Sequence, residues 1–451
     1  MARTQKGFRC TGCGWESPGY VGRCQQCGEW NTLEQFTRAS SRAPTPFASA
    51  ERRSQPVVEL SDVSGAEGDR FSTAIEEFDR VLGGGIVPGS LALVGGDPGV
   101  GKSTLMLQAA AYLARDGRRV AYVCGEESPR QVRLRANRLA VDGAGISLIA
   151  ETSLDAALAA ASSIDPDLLI VDSIQSVYCE GIESRLGAPA QLGEAGARLL
   201  AWAKNTETAT FMTGHVTKAG EVAGPRLLEH LVDVVLYFEA AEYGALRLLR
   251  ATKNRFGATD EVGVFEMTGA GLASIENPSA AFLDRDAGQA SGCAVTAVIE
   301  GSRPLALEVQ ALAVSSSLAV PRRVSSGIET ARLHLLLAVL SRRAGLAAGE
   351  MDVVATVAGG LRLRDPGADL AVAVALASAI RDRPVEPGLV FLGEVALSGS
   401  IRPAAQAQRR LAELARMGYR YCLAAPGVES IEGIEASPVQ HIREAITTAL
   451  T

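Results

Sequence analysis

Gly96-Asp97-Pro98-Gly99-Val100-Gly101-Lys102-Ser103 is the stretch on which the fold class turns. It satisfies the G-x-x-x-x-G-K-[ST] spacing in the setting that spacing requires. The apolar run Leu91-Ala92-Leu93-Val94 reads as a buried strand before it, and Thr104 to Arg115 as an amphipathic helix after it. Glycines at 96, 99 and 101 let backbone N–H groups curl around phosphate oxygens at a helix N-terminus. Lys102 offsets the β/γ charge, Ser103 is placed to hold Mg2+, and Thr104 completes the set. ATP and Mg2+ are the expected ligands. Alternation continues with strand 119–124, helix 129–139, strand 146–150, helix 154–163 and strand 168–171, which predicts a mostly parallel sheet covered by helices. Upstream, Thr73 is expected to cap a short helix carrying Ile75, Phe78, Val81 and Leu82, ended by Gly83-Gly84-Gly85.

Two carboxylates stand where hydrolysis needs them. Asp172 closes the run Leu168-Leu169-Ile170-Val171 and is placed to order the Mg2+ shell. Glu126 follows Cys124-Gly125 on what reads as the strand neighbouring that of the phosphate loop, where a carboxylate orients and deprotonates the attacking water. Glu127 competes for that task, and either carboxylate also favours the next helix N-terminus. His215 and Lys218, after the apolar strand Thr210-Phe211-Met212-Thr213, are candidate γ-phosphate sensors. Lys253 and Arg255, two apart at the end of strand 247–252, point two cations the same way. Such a pair neutralises charge developing on a transferred phosphoryl group; a solvated basic pair or a DNA contact is the plainer alternative.

The eight cysteines divide unequally. Cys10, Cys13, Cys24 and Cys27 form C-x2-C, ten residues, C-x2-C, each knuckle followed by glycine, a spacing that fits structural Zn2+. Cys124, Cys179, Cys293 and Cys422 have no partner spacing and read as buried thiols. Residues 37–64, rich in Ser, Ala, Arg and Pro, read as a flexible linker between a zinc module at 1–36 and an ATPase domain at 65–275. The N-terminus runs into cysteines and does not read as a secretory signal. The most apolar segment, Leu370 to Ile380, is far shorter than the roughly 20 residues of a membrane span. A cytoplasmic protein without a membrane partner is expected. A net charge of −7 excludes a protein that coats nucleic acid by its overall field, so any DNA contact must be local. Candidates are Arg185 in the loop Tyr178 to Leu192, Arg226 in the segment Ala219 to Arg226, and Lys218 just before that segment; aromatic residues are few there, so phosphate contacts should dominate.

The zinc module, the phosphate loop, Gly125-Glu126-Glu127-Ser128, the stretch Thr213-Gly214-His215-Val216-Thr217-Lys218 and the motif Lys253-Asn254-Arg255-Phe256-Gly257 occur in the order seen in the bacterial RadA (Sms) family of DNA repair proteins. The chain resembles that family over nearly its whole length. The resemblance implies a RecA-like P-loop ATPase of the DnaB type. It implies a homo-hexamer that binds single-stranded and branched DNA, works with the RecA recombinase and drives branch migration, with Lys253 and Arg255 supplied across subunits.

Residues 280–451 are similar to the peptidase domain of Lon protease. The similarity rests on Asp365-Pro366-Gly367-Ala368-Asp369-Leu370, on Phe391-Leu392-Gly393-Glu394-Val395 and on a helix after Pro403. The fold class expected is therefore α/β throughout: a RecA-like core between a four-cysteine zinc module and an α/β Lon-like domain. The resemblance puts Ala368 and Gln408 in the places of the nucleophilic serine and the lysine base. Without a hydroxyl and an amine the serine-lysine reaction has no nucleophile, so the domain reads as an inactive scaffold. Arg362, Arg364, Arg402, Arg409, Arg410 and Arg416 offer a basic surface for DNA, or a solvated helix face. A DNA-dependent motor, a nucleotide-gated DNA-binding scaffold and an ATP-dependent serine protease compete. Ala368 and Gln408 argue against the last, and Glu126 with Lys253 and Arg255 against the second.

Overall fold

The computed structural model describes residues 5–38 other than 12, 14 and 18, residue 59, and residues 70–215, 226–240, 246–283 and 290–450. The chain forms two compact units, 1–65 and 66–451. In the first, β1 (Gln5–Cys10) pairs antiparallel with β2 (Glu16–Ser17) and β3 (Leu33–Arg38). Among the described residues its buried apolar ones are Cys10, Cys24 and Leu33, a small core of the kind that a staple supports. The stretch expected as a linker lies almost wholly outside the described residues.

The second unit begins with α1 (Glu76–Leu82) and then alternates: β4 (Leu91–Gly96), α2 (Lys102–Arg115), β5 (Val120–Cys124), α3 (Pro129–Arg138), β6 (Ile146–Ile149), α4 (Leu154–Ile164), β7 (Leu168–Asp172), α5 (Pro189–Thr206), β8 (Ala209–His215), α6 (Arg226–Leu231) and β9 (Val234–Ala240). Three further strands, β10 (Leu246–Asn254), β11 (Val262–Thr268) and β12 (Gly271–Ser274), complete a nine-stranded sheet of order β12-β11-β10-β9-β4-β8-β7-β5-β6. The strands from β9 to β6 in that order run parallel, and β10 to β12 add an antiparallel meander. Every residue of β4 is buried because helices cover both faces. Leu91 and Leu93 join Leu199, Trp202 and Met212 on one face, while Ala92 and Val94 join Leu105, Ala109 and Leu113 on the other, as the two-residue period of a strand dictates. This is the RecA-like P-loop core.

Thr73 does not cap α1. Ile75 takes the N-cap position without a side-chain bond, because Asp79 captures Thr73 instead: the Thr73 hydroxyl donates to Asp79 Oδ1 at 2.7 Å and the Thr73 N–H at 2.9 Å. Gly83, at φ 84°, ends the helix in the left-handed conformation. The loop expected to reach Leu192 stops at Ala188, since Pro189 opens α5 and Leu192 is buried within it.

After α7 (Pro278–Ala281), a second sheet of seven strands forms from β13 (Cys293–Glu300), β14 (Arg303–Ser315), β15 (Arg323–Ser326), β16 (Met351–Val357), β17 (Leu389–Leu392), β20 (Tyr421–Ala424) and β21 (Glu435–Pro438), in the order β15-β16-β14-β13-β17-β20-β21. A small pair, β18 (Glu394–Val395) and β19 (Ile401–Arg402), stands apart. The helices are α8 (Thr330–Val339), α9 (Asp369–Arg381), α10 (Ala407–Arg416) and α11 (Ile442–Ala449). The apolar segment 370–380 is α9, buried against β13, β14 and β17 and against α8 and α11. Leu246, Leu248, Val262 and Val264 of the first sheet pack into the same core as Val298, Leu305 and Leu307 of the second, so β10 and β11 join the two sheets through one apolar cluster. No described helix is long and apolar enough to cross a membrane.

Candidate active site

The phosphate loop leaves β4 beside the backbone of β9. A Cβ at Gly96 would lie 2.4 Å from the Phe238 carbonyl oxygen, and one at Gly101, where φ is 119°, 2.7 Å from Met267 Cε, so both positions require glycine. The first turn of α2 carries no acidic residue, which leaves its N–H groups and positive dipole end for an anion. Lys102 is buried at its foot, and Nζ donates to the carbonyls of Gly96 at 2.7 Å and Asp97 at 3.0 Å. Burial pulls its pKa down, while the carboxylates of Asp172, Glu126 and Asp97 hold it up.

Asp172 ends β7 facing the loop, and Ser103 Oγ donates to its Oδ1 at 3.1 Å. Those two oxygens suit a magnesium ion bound with substrate phosphates, which keeps most of its own waters. Two residues that the sequence reading did not single out hold the carboxylate. Thr213 Oγ1 donates to Oδ1 at 2.6 Å from β8, and Tyr122 OH donates to Oδ2 at 2.5 Å from β5. Burial, with the Asp172 charge behind it, raises the Tyr122 phenol well above its ordinary pKa, so it stays a donor. The apolar run Val120-Ala121-Tyr122-Val123 put Tyr122 on a strand, but nothing in it said that its hydroxyl reaches β7. Because partners of metal-holding carboxylates are worth 10- to 100-fold in metal affinity, Tyr122→Phe is expected to raise the Mg2+ concentration for half-maximal ATP hydrolysis about 10-fold. An unchanged Mg2+ titration would exclude this role.

Glu126 reaches the loop from β5. That strand is not the neighbour of β4, as the sequence reading had it: β8 and β7 stand between them. A crossover helix joins strands consecutive in the chain, yet leaves room for later strands to be laid between them. The close approach is made at Gly125, where a Cβ would fall 1.9 Å from Ser176 Oγ. Glu126 accepts from Ser173 Oγ and lies 3.2 Å from His215 Nε2, and His215 Nδ1 lies 3.5 Å from Lys102 Nζ. Lysine, histidine and glutamate thus form a connected row across the mouth of the loop. Glu127 turns away into an ion pair with Arg135.

Lys253 and Arg255 are elsewhere. Asn254 pairs with Val234, at the start of β9, whereas Gly96 pairs with Phe238, four residues further along the same strand. At about 3.3 Å per residue the pair sits about 13 Å below the phosphate loop, at the opposite end of the parallel strands. Lys253 Nζ donates to the carbonyls of Glu229 at 2.8 Å and His230 at 3.2 Å, and Arg255 pairs with Asp233 at 3.4 Å. Burial, with the Arg255 charge next, pulls the Lys253 pKa below its usual value. Of the DNA candidates, Arg185 is exposed in the loop before α5, Arg226 opens α6, and Lys218 lies outside the described residues.

In the first unit the sulfurs of Cys10, Cys13, Cys24 and Cys27 all lie within 4.8 Å of one another, with Cys10 to Cys27 at 3.6 Å and Cys13 to Cys24 at 3.5 Å. A tetrahedron of Zn–S bonds of ~2.3 Å has edges of about 3.8 Å, so the donor set fits Zn2+. Gly28, at φ 76°, folds its N–H back onto the Cys24 carbonyl at 3.0 Å. Of the other cysteines, Cys124, Cys179 and Cys422 are buried and Cys293 is half-buried.

In the C-terminal sheet Ala368 is fully buried and Gln408 is exposed on α10. The α10 residue that reaches the segment before Ala368 is Arg410, not Gln408. Its guanidinium pairs with Asp365 at 2.5 Å and donates to the carbonyls of Ala297 and Ala405, both at 2.8 Å. Arg410 is therefore internal and leaves the basic surface on which the sequence reading placed it. Arg416 is half-exposed and pairs with Glu413 at 2.6 Å, while Arg362, Arg364, Arg402 and Arg409 are exposed.

Residues 55–221 match a family described as an AAA domain, and residues 8–35 one described as a rubredoxin metal binding domain. The chain is 41% identical to the DNA repair protein RadA of Bacillus subtilis (strain 168) over 100% of both chains. It is 43% identical to the DNA repair protein RadA of Pseudomonas aeruginosa over 99% of each. Among solved structures, a KaiC-like protein, PH0186, from Pyrococcus horikoshii OT3 is 21% identical, covers 46% of this chain and 98% of its own, and superposes with a TM-score of 0.40.

Proposed function

The chain belongs to the family of the DNA repair protein RadA, and from that footing we propose that it is a DNA-dependent ATPase motor that migrates branched recombination intermediates. Its ATP site is built by Lys102, by Ser103 and Asp172 around Mg2+, and by Glu126 as the base that draws a proton from the attacking water. His215 links base and loop lysine, so loss of the γ-phosphate changes both of its partners at once. The observation that carries the reading is the separation of Lys253 and Arg255 from the loop of their own chain. Cations at the opposite end of the parallel strands serve a neighbour's nucleotide, which makes turnover conditional on a ring, here a homo-hexamer. Mg2+ supplies Lewis-acid stabilisation of the phosphate oxygens when bound.

Single-stranded DNA is the ligand at the sheet's loop edge, contacted by Arg185, Lys218 and Arg226, and RecA is the functional partner in the cytoplasm. Residues 280–451 act as a scaffold without peptidase activity, because the segment of the lost nucleophile faces a guanidinium that cannot give up a proton at neutral pH. The test is ATP hydrolysis by the full chain with and without single-stranded DNA. Several-fold stimulation, lost in Lys102→Ala and weakened by salt, is the expected result. A rate indifferent to DNA would leave a nucleotide-gated binding scaffold in place of a motor.

A further inference from the structure

Residues 300–303, the tip of the β13–β14 hairpin, reach out of the C-terminal sheet and touch the ATPase domain at two places. At the first, Ser302 N–H donates to the Asp260 carbonyl, and Ser302 Oγ to Glu261 Oε1 at 2.6 Å. The approach is so close that a Cβ on Gly301, at φ 65°, would overlap Asp260. Beside it Arg250 of β10 pairs with Glu300 at 2.7 Å. At the second, Arg303 donates through NH1 to both oxygens of Glu77, at 2.7 and 2.9 Å, and Glu77 is 2% exposed on α1.

Both contacts lead to the Lys253–Gly257 segment. Asp260 and Glu261 end the loop that leaves it. The α1 helix that Arg303 grips presents its last carbonyls, Val81 and Leu82, to Asn254 Nδ2 at 3.3 and 3.2 Å. Past the helix end, Gly83 packs on Gly257, where a Cβ would come within 2.9 Å of its Cα, and Arg70 ties the Gly83 and Phe256 carbonyls together. On the far side Arg255 meets Asp233, whose carboxylate accepts the Leu91 N–H at the foot of the phosphate-loop strand. A buried ion pair is a poor source of stability compared with apolar packing, but it fixes geometry, and removing one partner strands the other.

We infer that the hairpin tip of the C-terminal domain, through Arg303–Glu77 and Ser302–Glu261, is a positioning element that aims Lys253 and Arg255 at the neighbouring subunit's ATP. This rests on the proposed action of that pair across subunits, and it gives the protease-like domain a mechanical task in catalysis. Arg303 is a positioning residue and touches no nucleotide.

The test is subunit mixing in the full chain. Arg303→Ala is expected to lower kcat at least 10-fold with the affinity for ATP unchanged. It is also expected to regain activity when mixed with Lys102→Ala, whose own loop is dead but whose Lys253 and Arg255 are correctly held. Lys253→Ala mixed with Lys102→Ala is the control. If the control regains activity and the Arg303 mixture does not, the positioning inference is overturned. If neither does, action across subunits fails, and the inference falls with it. Should Arg303→Ala unfold because buried Glu77 loses its nearest cation and is left with the Val264 N–H and Arg80 at 3.6 Å, the neutral pair Glu77→Gln/Arg303→Gln takes its place in the same mixtures. Full wild-type turnover in that pair would equally overturn the inference.

Discussion

Glu126→Gln is expected to abolish ATP hydrolysis while leaving ATP binding intact. A positioned general base contributes about 10²- to 10⁴-fold, and the amide keeps the size and much of the hydrogen bonding of the carboxylate without its basicity. Ser173 donates to Glu126 and His215 approaches it, so the substituted side chain retains partners in the folded site. The comparison that gives the result meaning is Glu127→Gln, which breaks the ion pair with Arg135 but removes nothing that faces the loop. Its rate is expected to stay well above that of Glu126→Gln, because Arg135 keeps a second carboxylate, Asp172, at 3.8 Å. Measuring kcat and nucleotide affinity for both variants decides the assignment. Collapse of turnover in Glu127→Gln with survival in Glu126→Gln would reverse the roles.

Lys253→Ala carries the second large effect. A cation supplied to a transferred phosphoryl group across an interface is worth about 10³- to 10⁵-fold in kcat, so a loss of about 10³-fold is expected with ATP affinity unchanged. Nucleotide affinity is the discriminating readout, because Lys253 stands at the opposite end of the parallel strands from the loop of its own chain. A variant that lost ATP binding would mean that the substitution had disturbed the core. One that hydrolysed ATP at the wild-type rate would remove Lys253 from the chemistry. Specific activity is expected to rise with protein concentration in the wild type, as a shared site requires.

The octapeptide at 96–103 determined much by itself, because its chemistry is local. Phosphate binding by a loop needs glycines, a lysine and a hydroxyl within one turn, and the strand before it and the helix after it were written in the flanking apolar pattern. The cluster of four cysteines was equally legible, since two knuckles of fixed spacing leave few ways to arrange four sulfurs. The strand that Asp172 closes was legible from its apolar run.

Long-range partners were not legible. Tyr122 and Thr213 hold Asp172 from two other strands, and no pattern in a sequence tells which hydroxyls of a buried strand face a given carboxylate. The strand that carries Glu126 was legible but misplaced in the sheet, because chain order and sheet order differ wherever a crossover skips a position. Arg410 looked like its exposed neighbours and is buried; one turn of helix separates solvent from interior, and only the packing of α10 on the sheet decides which arginine faces in. Local hydrogen-bonding geometry and apolar periodicity are properties of neighbours along the chain, and the sequence carries them. Which distant groups meet depends on how the sheets are ordered and packed, and that was settled only by the tertiary structure.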